Sequence, residues 1–148
     1  MTDGHRVPPW LRRLLRLHQA VYELSHGWIG HRLLGDPTLL LHTTGARSGR
    51  RRTSALIYWR DGESYVLAAS NGGADNHPAW YHNLRKNPIA EVMVKRSTFA
   101  VAARILLPGD AEYARLWALV IADHQNYVGY QRATDRPIPL VLLDRRSA

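Results

Sequence analysis

Between Thr38 and Leu107 the apolar and β-branched residues come in short runs, each stopped by glycine, proline, asparagine or charge. Runs at 38–44, 53–60, 65–69, 89–95 and 98–107 carry the aromatic and β-branched enrichment of strands. Asp61-Gly62 is a hairpin signal, and Arg96-Ser97 is expected to turn 89–95 back into 98–107. Within this stretch a single short helix is expected, Ala79–Lys86, with Pro78 suited to its first turn and Asn87-Pro88 closing it. Further on, Asp110 is expected to cap a helix over Ala111–His124, a second helical piece covers Tyr127–Ala133, and a last strand covers Ile138–Leu143. About six strands with few helices between them predict a mostly β, α+β domain: a small antiparallel barrel or roll with flanking helices.

Residues 1–34 read as a separate N-terminal region and 35–148 as the β-rich domain. After a loose tail over 1–7 and Pro8-Pro9, the residues Leu11, Leu14, Leu15, His18, Val21 and Tyr22 recur at helical spacing, with Arg12, Arg13, Arg16, Gln19 and Glu23 on the other side. This basic amphipathic helix either packs on its own domain or lies on an anionic membrane surface through residues 8–24. No apolar run approaches the roughly 20 residues that span a bilayer. No cleavable signal is visible either, because arginines interrupt the Leu-rich segment. The chain has no cysteine, which removes disulfides, thiolate metal ligands and cysteine nucleophiles and fits a cytoplasmic location.

Twenty basic residues against twelve acidic leave a net charge of +8, which calls for a polyanionic partner or a membrane surface. Every basic residue except Lys86 and Lys95 is arginine, a skew that genomic base composition explains as readily as anion binding. The charge is densest between Thr43 and Thr53, where a glycine-bracketed loop holds Arg47, Arg50, Arg51 and Arg52 and no acid. Exposed backbone N–H groups and forked guanidiniums suit phosphate or carboxylate oxygens; a solvated hairpin tip is the alternative. Nucleic acid is not expected, because the charge is not interleaved with aromatics along one face. The segment Gly45 to Gly49 has neither dinucleotide-fingerprint spacing nor a P-loop ending. His77 and His82 are five residues apart, so no metal site is expected.

Two further segments read as candidate ligand contacts or as core. Ser70 to Asn83 combines a glycine pair, the polar groups of Ser70, Asn71 and Asn76, and Trp80-Tyr81, an assortment able to surround a planar heteroaromatic ligand with a phosphorylated tail. Tyr127 and Tyr130 share a helix face, with His124 three residues before Tyr127. Such phenols stack over a ligand or give it a proton, unless they pack in the core.

Three blocks together carry a resemblance: Thr-Thr-Gly-x-Arg-Ser-Gly, then Ala-Ser-Asn-Gly-Gly-Ala-Asp-Asn-His-Pro-Ala-Trp-Tyr-His-Asn-Leu, then Tyr-x-x-Tyr-Gln-x-x-Thr-x-Arg-x-Ile-Pro. In this order, over about residues 36–144, the chain resembles the deazaflavin-dependent nitroreductase and F420H2-dependent quinone reductase family. Its members are actinobacterial enzymes that use coenzyme F420, a deazaflavin with a phosphodiester and an oligoglutamate tail.

The resemblance implies a split β-barrel akin to FMN-binding oxidoreductases, and hydride transfer from reduced F420 to a small acceptor, a quinone before a nitroaromatic. It assigns the cofactor's tail to Ala46, Arg47, Ser48 and Arg52, and the adjoining strand to Thr53, Ser54, Ala55, Leu56 and Ile57. The ring falls to Ala68, Ala69, Ser70 and Asn71, with Ala79, Trp80, Tyr81, His82 and Asn83 completing the pocket. Ser70, Tyr127 and Tyr130 are implied as the catalytic groups, Tyr127 also touching the cofactor. The chain departs from the family pattern at Ala46, where many members are basic, at Asn71, a lysine in some, and at His124, a substrate-side tyrosine in one. A homodimer and peripheral attachment to the inner face of the plasma membrane stay open, as does FMN in place of F420.

Overall fold

The computed structural model describes residues 9–14, 16 and 36–147. Residues 9–14 and 16 are helical, as expected; the tail over 1–7 and the rest of the expected amphipathic helix lie outside the described residues.

Seven strands form one antiparallel sheet: β1 (Thr38–Thr44), β2 (Arg51–Ile57), β3 (Trp59–Asp61), β4 (Ser64–Ala68), β5 (Ile89–Val94), β6 (Ser97–Leu106) and β7 (Leu140–Arg145). Their order is β2-β1-β5-β6-β7-β4-β3. The two end strands, β2 and β3, are consecutive in the chain and joined through Tyr58 alone, so the sheet rolls round until its ends meet. Tyr58 marks the corner. Its N–H donates to the Pro37 carbonyl at 3.2 Å, and its ring packs edge-on against Tyr65 with centroids 5.3 Å apart. The strand expected over 53–60 is therefore two strands meeting at this corner, which raises the expected six to seven.

Strand alternation sorts the side chains into an interior and an exterior. Leu39, Leu41, Leu67, Val92, Val101, Val141 and Leu143 fill the roll, joined by Trp80, Tyr81 and Leu84 of helix α1 (Ala79–Lys86). On the outer face of β4 and β7, Val66, Leu140 and Leu142 are covered by Leu116 and Val120 of α2 (Tyr113–Asp123) and by Tyr127 of α3 (Asn126–Arg132). This is a half-barrel of sheet with flanking helices, as expected.

Several boundaries differ from expectation for local reasons. The β5–β6 turn is Lys95-Arg96, one residue earlier than expected, with Lys95 at φ 53°. Asp110 does not cap α2. Its carboxylate accepts the Leu107 N–H at 2.6 Å, and the helix starts only at Tyr113. The last strand is shifted to Leu140–Arg145, because Pro139 still lies in the connection. Arg51 and Arg52 belong to β2 and not to the loop before it.

Candidate functional site

The β1–β2 connection, Gly45 to Arg50, is a closed and internally bonded loop. Gly45 N–H donates to the Arg50 carbonyl at 2.7 Å, Gly49 N–H to the Gly45 carbonyl at 2.9 Å, and Arg50 N–H to Ser48 Oγ at 3.2 Å. A Cβ on Gly45 would stand 2.6 Å from Ser48 Oγ and 3.2 Å from the Arg50 carbonyl, so the tight fold of the loop depends on glycine there. Gly49 supplies the left-handed step at φ 69°.

Helix α1 pins this loop from below. Asn83 is 6% exposed, and its amide is shared between two strand-loop partners: Oδ1 accepts the Ala46 N–H at 2.9 Å, and Nδ2 donates to Thr43 Oγ1 at 3.0 Å. Lys86 Nζ donates to the Ala46 carbonyl at 2.6 Å. Between loop, β2 and helix lies a cleft of about 670 Å3 lined by Gly45, Ala46, Arg47, Ser48, Arg52, Thr53, Ser54, Ala79, Trp80, His82 and Asn83.

The charge at its mouth is unbalanced. Arg51 is drawn away to Glu91 on β5, 3.2 Å distant. Arg47, Arg50 and Arg52 are exposed and make no ion pair among the described residues. A cluster of uncompensated guanidiniums beside a cleft with a tryptophan wall can bind an anion joined to a flat ring.

Ten of the expected cofactor contacts thus meet round one cleft: Ala46, Arg47, Ser48, Arg52, Thr53, Ser54, Ala79, Trp80, His82 and Asn83. Four of the other expected contacts pack elsewhere. Ala55 packs on Leu40 and Met93, Leu56 against the barrel interior, and Ile57 and Ala68 against the helix-covered face. Tyr81 is a core residue, and Ala69 is fully buried.

Ser70, 7% exposed, precedes the short 3-10 turn Asn71–Gly73. Asn71 is exposed at φ 48°, its amide donating to the Asn76 carbonyl at 3.0 Å. The turn backs onto α3: a Cβ on Gly73, at φ 83°, would come within 3.0 Å of the Tyr130 backbone.

Tyr127 and Tyr130 lie on that helix, with ring centroids 5.1 Å apart. Tyr127 is buried against Trp59, and burial, then Tyr130 and Asp36, push its phenol up to about 12. Tyr130 is half-buried, and Asn126 Nδ2 donates to its Oη at 3.1 Å, leaving the Tyr130 proton free to point elsewhere. His124 Nε2 is 2.8 Å from Asp36 Oδ1. Its Nδ1, together with Trp59 Nε1, is buried without a hydrogen-bond partner among the described residues. Two buried orphan nitrogens in neighbouring rings, with centroids 5.2 Å apart, mark a polar spot beside Tyr127.

Sequence reasoning gave no role to Lys86, Asp36 or Arg136. Lys86 and Asp36 carry no local signal, whereas Arg136 stood inside the third family block.

The pattern of the F420H(2)-dependent quinone reductase family matches residues 14–145. A Mycobacterium tuberculosis protein named F420H(2)-dependent quinone reductase is 49% identical over 147 residues, covering 95% of this chain and 99% of its own. A solved F420-H2 dependent reductase, FDR-A, superposes with a TM-score of 0.66 at 34% identity over 73% of this chain and 94% of its own. A second solved structure, described as a domain-swapped dimer, gives a TM-score of 0.68 at 32% identity over 91% and 97%. With the matched pattern covering nearly the whole described fold, this chain belongs to the F420H(2)-dependent quinone reductase family.

Proposed function

We propose that the cleft between the Gly45–Arg50 loop and α1 holds coenzyme F420 and that the protein reduces a quinone. The observation that carries this reading is the group Arg47, Arg50 and Arg52, without an ion pair among the described residues, at the mouth of a cleft walled by Trp80. Arg47, Ser48 and Arg52 would hold the phosphodiester and tail carboxylates, with Arg50 adding charge alongside. Thr53 and Ser54 would line the path inward, and Ser70 and Asn71 would meet the ring, while the fully buried Ala69 would only support them. Reduced F420, when bound, supplies a hydride.

What remains for the protein is binding, orientation and one proton. A quinone that takes up a hydride becomes a quinol only with a proton at oxygen. Tyr130 is the better placed phenol, because its Oη is oriented by Asn126 and is less buried than that of Tyr127. Tyr127, with its raised pKa, stays protonated and serves as a fixed hydrogen-bond donor or wall. His124 Nδ1 and Trp59 Nε1 would complete the polar lining at the acceptor end. Nitroaromatics would enter only as adventitious acceptors.

The test is anaerobic mixing of reduced F420, a soluble quinone and the protein. Catalysed loss of reduced F420 that requires the quinone supports the reading; no catalysis with any quinone or nitroaromatic removes it.

The described helical residues near the N-terminus add a second surface. Trp10 is 66% and Leu14 47% exposed, beside exposed Arg12, Arg13 and Arg16. No described helix is long and apolar enough to cross a membrane. We place this helix on the inner face of the plasma membrane, where quinones reside, in a cytoplasmic and dimeric enzyme. Deleting residues 8–24 should abolish binding to anionic vesicles and spare reduction of a soluble quinone.

A further inference from the structure

Arg136 does not line the cleft, yet its side chain reaches four residues of the 69–77 loop. Its guanidinium gathers that loop from behind. Nε donates to the Ala74 carbonyl at 2.9 Å, Nη2 to the Ser70 carbonyl at 2.8 Å and Nη1 to the Ala69 carbonyl at 3.2 Å, while Nη1 stands 3.1 Å from His77 Nδ1. The arginine is itself held in place. Its N–H donates to Thr134 Oγ1 at 3.3 Å, its carbonyl accepts Gln131 Nε2 at 2.8 Å, and Thr134 Oγ1 donates to Asp75 Oδ1 at 2.9 Å. Arginine has donors and no acceptor, so the facing His77 Nδ1 is bare and the ring proton sits on Nε2. Ala69 and Ser70 are buried, so their carbonyls have little access to solvent in place of the guanidinium. A planar fork is the side chain that can satisfy three carbonyls and one imidazole together; a lysine cannot.

We propose that Arg136 is a positioning residue for the cofactor: one guanidinium fixes the loop that presents Ser70 and Asn71 to the deazaflavin ring. This rests on the functional reading above. It acts through the loop and through no contact with ligand. The clamp also joins the cofactor loop to the segment that follows α3, so the Ser70 side and the Tyr130 side of the site move as one body.

The experiment compares wild type, Arg136→Gln and Arg136→Lys. Two probes are titrated by tryptophan quenching, oxidised F420 and the same deazaflavin chromophore without its phosphodiester tail. Arg136→Gln should weaken both by about ten-fold, the worth of one charge-assisted hydrogen bond, and Arg136→Lys should recover only part of the loss. Nitrogen-15 NMR of the free protein reads the clamp directly. Wild-type His77 should show the Nε2–H tautomer and titrate below the usual histidine range, owing to burial and then to Arg136, His82 and Arg85. In Arg136→Gln its titration should move upward.

Unchanged affinity for both probes, or a loss confined to the tailed coenzyme, would overturn the proposal, the latter making Arg136 a tail contact. Wild type binding neither probe would instead bring down the functional reading itself. Should Arg136→Gln fail to fold, Thr134→Val loosens the same clamp and should show the same pattern at smaller amplitude; parity with wild type on both probes counts against the proposal.

Discussion

In the proposed site, Asn83 and Tyr130 would divide structural from chemical work. Asn83 has both ends of its amide engaged by Ala46 and Thr43, so it shapes the cleft it lines. Asn83→Leu should cost about 2 kcal/mol in urea denaturation, since it strands a backbone N–H under the basic loop. Tyr130→Phe removes a proton and leaves the packing against Tyr127 intact. It should lower turnover with quinone by ten-fold or more, in the range of general acid catalysis, and change F420 affinity less than two-fold. Equal losses of both would show that the phenol only packs. Tyr127 makes a pH prediction. Its pKa is raised from 10.0 to about 12, so the folded state keeps a proton that the unfolded chain gives up first. That contribution to stability is whole below about pH 10 and is lost as pH rises from about 10 to about 12. A phenolate absorbance titration should show one late-ionising tyrosine fewer in Tyr127→Phe.

Among the elements, β2 decides how the basic residues are used. Alternation sends Arg51 to Glu91 and leaves Arg52 on the cleft, two neighbours with opposite fates. Replacing Arg47 and Arg52 together with Gln should weaken F420 binding by about ten-fold, flatten its salt dependence and leave the tail-less chromophore unaffected; titrations at two ionic strengths check it. The elements themselves were largely legible. Ala79–Lys86 is bounded by Pro78 and Pro88, and prolines act locally, so its ends match expectation. Tyr58 was not legible as a corner, because an aromatic residue inside an aromatic run reads as more strand. Asp110 misled for a related reason: its carboxylate serves a turn and not a helix start.

For the whole molecule, the roll of the sheet brings together what the chain keeps apart. β1, β2 and α1 build the cleft beside the basic loop, while the segment after α3 braces the loop that follows β4. The cleft's residues were legible because they cluster in two sequence blocks. Arg136 on Ser70 and Asp36 on His124 are contacts across 66 and 88 positions, and no local pattern announces such pairs. The far end of β2 also thinned the expected contacts, since Ala55, Leu56 and Ile57 pack into the core and away from the cleft. The central claim, that this cleft is made for a deazaflavin with a polyanionic tail, meets its most direct test in equilibrium titration of the purified protein. Oxidised F420 and FMN are titrated separately against tryptophan fluorescence. F420 should bind tightly and FMN weakly, with the difference shrinking in the Arg47 and Arg52 double variant. FMN binding as well as F420, or neither binding, would contradict the cofactor assignment and leave only the fold and the family relationship standing.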